Sequence, residues 1–124
     1  MNLSKSFLIL GALYLLVGLS FGIYMGAAQE FDLAPVHAHI NLLGFTLMTL
    51  FGIVYRIIPG LADTMLAKVH FWLFQIGAFL LLVLLFALLS HMGPEATLGP
   101  LMGVVEVVVL LSIVAFLINL WQRA

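Results

Sequence analysis

The chain has 124 residues, 65% of them hydrophobic, with four Lys or Arg against five Asp or Glu. So few charges cannot clothe a water-soluble domain of this size, and the composition places the chain in a bilayer. A net charge of −1 supplies no basic stripe for nucleic acid, and the absence of cysteine excludes disulfides, iron–sulfur clusters and thiolate chemistry.

Four apolar segments follow one another at 7–28, 35–58, 68–89 and 98–121, each near the roughly 20 residues that one crossing needs. The first begins after Lys5 and ends in Gly26, Ala27 and Ala28, the outline of a signal peptide. Its apolar run exceeds the roughly 7–15 residues of a signal sequence, so it is expected to stay as a first membrane helix. Gly18, Gly22 and Gly26 recur at intervals of four along it, a stripe where a second helix can approach closely.

The second segment follows the short link Gln29 to Ala34 and opens on Pro35, which suits a first helical turn, with Asp32 near enough to cap it. His37 and His39 are then helical. Positions two apart are separated by about 200° at 3.6 residues per turn, so the two rings leave on nearly opposite faces and cannot ligate one iron together. Either one histidine is functional and its neighbour structural, or the helix is shared between two cofactor sites; the bland alternative is that both rings merely hydrogen-bond at the membrane interface. An ionisable residue within a membrane helix is costly and marks function by default.

Beyond the turn around Pro59 and Gly60, His70 opens the third segment among Phe71 and Trp72, where it is expected at the interface with water or a carbonyl as partner. Tyr55 and Arg56, at the end of the second segment, are expected to be interface residues too. His91 falls in the last link, where it is expected as a solvated loop residue, with a cofactor edge or an axial position as the alternative. Glu106 is the one carboxylate deep in apolar sequence, and its roles are a protonated acid bonded to a neighbouring helix, a proton relay or a cofactor partner. Met25, Met48 and Met102 are expected to pack rather than ligate.

With alternating crossings, Lys5, Arg56, Lys68 and Arg123 share one side and Glu30, Asp32 and Glu95 the other. The positive-inside rule puts both termini in the cytoplasm, and the expected location is a bacterial or archaeal inner membrane. The expected fold is an all-α membrane protein, a single antiparallel bundle of four transmembrane helices joined by short links.

His37-Ala38-His39, Leu43-Gly44, Phe51-Gly52, Val54-Tyr55 and Pro59, followed after a short loop by His70-Phe71-Trp72-Leu73 and Gly77, resemble the tenth and eleventh helices of the heme-copper oxidase catalytic subunit. The likeness is to C-family oxidases and nitric oxide reductases, and it covers a third to a half of the chain. The first and fourth helices would correspond loosely to the ninth and twelfth. In that family the first histidine of the pair binds the high-spin heme and the second the low-spin heme, so the resemblance implies that His37 and His39 are both axial heme ligands. The histidine matching His70 is not a heme ligand there. The family's further histidines for copper or non-heme iron, its His-Pro-Glu type motif and its propionate-holding arginine pair are absent here, so reduction of oxygen or nitric oxide at a binuclear centre is not implied.

The family's twelve helices form three arcs of four about a pseudo-threefold axis, and three copies of this chain supply twelve. The expectation is a cyclic homotrimer binding heme b between protomers, His37 of one copy and His39 of the next, with His91 as a further cofactor-binding candidate and the glycine-lined first helix packed at close quarters. Such a low-spin site would transfer electrons with a redox partner in the bilayer. Two other classes stay open: a heme-based gas sensor or reductase with a vacant axial site, and a non-heme metal-binding accessory or assembly protein.

Overall fold

The computed structural model describes all 124 residues as helix and short links, with no strand. Helix α1 spans Leu3–Ala28, α2 Ala34–Ile57, α3 Met65–Leu89 and α4 Glu95–Arg123, and a single 3-10 turn, Leu61–Asp63, lies between α2 and α3. All four helices are long and apolar enough to cross a membrane. At 1.5 Å per residue each covers the roughly 30 Å hydrocarbon core.

The helices start and stop where local chemistry dictates. Asn2 and Thr64 accept hydrogen bonds from the backbone N–H of Lys5 and Ala67, capping α1 and α3. The residue at the head of α2 is Leu33, with no side-chain cap, so Asp32 does not play the capping role expected of it; Pro35 in the first turn sets the helix direction instead. Gln29 and Gly60 adopt left-handed backbone, φ 55° and 78°, and end α1 and the α2 exit respectively. Within α2, Ile40–Leu47 winds as a π-helix, an irregularity that concentrates at functional sites.

Two buried clusters lie one above the other along the bundle. The first joins Leu3 and Phe7 of α1, Phe51 and Tyr55 of α2, and Phe71 and Phe74 of α3, with Phe116 and Leu120 of α4 against it. The second joins Val36 and Ile40 of α2 to Leu82 and Leu85 of α3, with Phe21 and Met102 alongside. Early α1 therefore sits beside late α2, early α3 and late α4, which fixes the antiparallel order. Lys5, Arg56, Lys68 and Arg123 share the end that holds both termini; we call that the inner end, and the opposite one the outer end.

The seam between α1 and α2 is a ladder of small residues facing larger ones. A Cβ on Gly52 would strike Leu8, one on Gly11 would press Thr49, one on Gly44 would overlap Tyr14, one on Gly18 would overlap Asn41, and one on Gly22 would meet His37 at 3.0 Å. At the inner end the Ser4 hydroxyl donates to the Gly52 carbonyl over 2.8 Å. Two of the three stripe glycines of α1 therefore serve contact inside the chain. A Cβ on Gly26 would meet nothing within 4 Å.

The inner end is tied by Asn119, fully buried in α4. Its amide donates to the Leu61 carbonyl at 3.0 Å, and its oxygen accepts from the Thr64 hydroxyl at 2.8 Å. One amide thus fixes the α2–α3 turn to the last helix.

Candidate functional site

The first turns of α2 place the two histidines differently. His37 enters the α1–α2 seam and is half-buried, whereas His39 stands on the exposed side of the helix. The Nδ1 of His37 lies 2.7 Å from the Gly18 carbonyl oxygen across the seam. A carbonyl only accepts, so Nδ1 carries the proton and Nε2 keeps the lone pair. The Nδ2 of Asn41 approaches that Nε2 at 3.4 Å, a weak donor contact. The Asn41 oxygen is buried over Gly18 without a partner. Turning the amide round would set two lone pairs against each other, so the orphaned oxygen is the lesser cost.

His39 repeats the tautomer by a local route. Its Nδ1 lies 2.7 Å from the carbonyl oxygen of Pro35, one helical turn back. Nε2 of His39 is left basic, exposed and without a protein partner. An imidazole whose Nδ1 is held by a carbonyl while Nε2 points away has the arrangement that orients a metal-ligating histidine.

The other two histidines are elsewhere. His91 is exposed in the turn after α3, with left-handed backbone at φ 54°, at the same outer end as His37 and His39. His70 lies at the inner end and is fully buried. It is enclosed by Phe7, Phe51, Phe74 and Phe116, and its Nδ1 is 2.8 Å from the Tyr55 hydroxyl. Its Nε2 is buried with no partner. The interface setting expected for His70 and Tyr55 is thus replaced by a core one: the aromatic rings of three neighbouring helices close over the pair, while the adjacent Arg56 reaches the surface. No three His, Cys, Asp or Glu side chains gather anywhere into a metal-binding group.

Met48 and Met25 are buried and Met102 packs against the outer cluster, positions that suit packing. Glu106 is exposed on α4 and faces no neighbouring helix of its own chain. Beside the outer cluster an apolar groove of about 440 Å³ opens to the bilayer between Val17 and Phe21 of α1, Ile40 of α2, and Phe79, Val83 and Phe86 of α3. It takes no polar side chain from the histidine pair.

Sequence reasoning passed over Asn119, Thr64 and the Tyr55–His70 pair. Asn119 was visible as a lone amide in an apolar run. The Tyr55–His70 pair carries no signal at helical spacing, because its members sit on different helices.

No protein-family model, no curated protein and no solved structure matches this chain.

Proposed function

We propose that this chain is a membrane b-type heme protein in which His39 is an axial ligand and a second copy of the chain completes the site, the whole serving electron transfer within the bilayer. The observation that carries this reading is the exposed His39 ring, with Nδ1 bound to the Pro35 carbonyl and Nε2 free. His37 has the same tautomer, set by the Gly18 carbonyl, and becomes a ligand if the weak Asn41 contact gives way. His91 is the remaining histidine of the outer end.

The residues fit a heme in part. His39 presents a nitrogen outward from a surface where a neighbouring protomer can close over a flat ring. His37 is held in the seam, and its geometry is accounted for by Gly22 and Gly18 without a cofactor. A heme bound here supplies one-electron chemistry, and two histidines would hold its iron low-spin. The protein's part is to fix both tautomers, to surround the ring with apolar side chains, and to keep water from the outer half of the bundle. The family likeness of His37-Ala38-His39 and the π-helical turn that follows support the same reading. The cyclic homotrimer and the cytoplasmic placing of both termini belong to this proposal, the second from the charges at the inner end.

The seam position of His37 favours a second reading: a heme held by His39 alone, with an open axial site that takes a small gas. Carbon monoxide separates the two. A six-coordinate bis-histidine heme leaves the reduced spectrum unmoved by the gas at once, and an open site shifts it. A pyridine hemochrome assay on purified protein tests both together, since protein that carries no heme excludes either.

A further inference from the structure

We infer that the outward face of α4 is the surface on which a second copy of this chain docks, against the outward face of α2, with Glu106 of one copy meeting Thr46 of the next. The inference goes beyond the heme reading and deepens it only where His39 is concerned.

Glu106 and Thr46 are both exposed, and neither side chain hydrogen-bonds within the chain. A carboxyl facing hydrocarbon is costly and calls for a partner. Glu106 stands eleven positions beyond Glu95, the first residue of α4, and Thr46 twelve beyond Ala34, the first of α2. Both helices start at the outer end, so both side chains lie about 17 Å in at 1.5 Å per residue. The Thr46 hydroxyl can donate to the Glu106 carboxyl at matched depth. On the outer side of Glu106, a Cβ on Gly99 or Gly103 would meet nothing within 4 Å. That small-xxx-small pair is unused inside the protomer, unlike Gly18 and Gly22, and lets a parallel helix come close. His39 is on the same exposed side of α2, two turns outward of Thr46, and falls opposite that glycine pair. A contact between two different faces is head-to-tail and closes into a ring when the rotation permits. It also brings the neighbour's His91, four positions ahead of its α4, nearer to His39 than the neighbour's seam-bound His37.

The chain has no cysteine, so introduced thiols report on this contact alone. The Leu50→Cys, Leu110→Cys double variant, exposed positions one turn inward of Thr46 and Glu106 that leave that pair intact, is expected on oxidation in detergent to run as a ladder that stops at a closed ring, while each single variant stays monomeric under denaturing conditions. In parallel, Glu106→Ala or Gly103→Leu is expected to lower the oligomer fraction by about tenfold in native mass measurements, with helicity unchanged. A double variant that fails to cross-link overturns the proposal. So does Leu110→Cys cross-linking alone, which marks a two-fold α4–α4 contact. Hemochrome measured on the same samples keeps the two ideas apart: cross-linked protein without heme retains the interface and ends the heme reading, and heme without cross-links does the reverse.

Discussion

The two ends of the bundle use histidine in opposite ways. At the inner end, His70 is fully buried, pressed by four aromatic rings, bonded to one tyrosine and left with an orphaned nitrogen. At the outer end, His39 has its orienting bond from the backbone of its own helix and an exposed, unpaired nitrogen. The core histidine is specified by what surrounds it, so its loss is a loss of packing. The outer one is specified by a carbonyl one turn back, so its loss leaves the fold untouched. His37 stands between them, a knob in a glycine ladder that also keeps a basic nitrogen.

Breaking the inner end should cost the most stability. His70→Ala opens a void among Phe7, Phe51, Phe74 and Phe116 and strips the Tyr55 hydroxyl of its partner, an expected loss of about 4 kcal/mol. Reversible unfolding in mixed micelles measures it, and an effect equal to that of an exposed residue contradicts the aromatic enclosure. His70→Phe with Tyr55→Phe removes both polar partners at once and should be milder than either single change, because no buried group is then left unpaired.

The seam comes next. Gly18→Leu drives a side chain into Asn41 and is expected to destabilise by about 3 kcal/mol. Gly26→Leu, on the same stripe but facing open space, should fall within about 0.5 kcal/mol of the parent. Equal effects at the two glycines would remove the ladder as the reason for the stripe. Asn119→Leu frees the turn at Leu61 and Thr64 and should cost about 2 kcal/mol; amide exchange that quickens in that turn and not at the outer end identifies the cause.

The sequence displayed the bundle plainly, since four apolar runs separated by short polar links leave little choice of topology. The expected segments fall inside the helices except at Ile58, where the backbone turns extended, and the helices run a few residues further, Met65 and Leu3 being first residues set by the Thr64 and Asn2 caps. The opposite faces of His37 and His39 followed from helical spacing alone, because both precede the π-helical stretch. The π winding itself was not legible, as Ile40–Leu47 contains no residue that demands it. Cross-helix partners were equally hidden: nothing local to Tyr55 announces His70, and nothing local to Gly22 announces His37. The first-helix stripe was legible as a contact surface, yet only the fold reveals that Gly18 and Gly22 meet α2 within the chain and that Gly99 and Gly103 face open space.

Heme per protein by pyridine hemochrome, compared between the parent and His39→Ala with circular dichroism confirming that both are helical, tests whether His39 holds the cofactor. Bound heme in the parent and its loss in His39→Ala at unchanged helicity are expected. Parent protein without heme, or heme retained in full by His39→Ala, rules out His39 as the ligand.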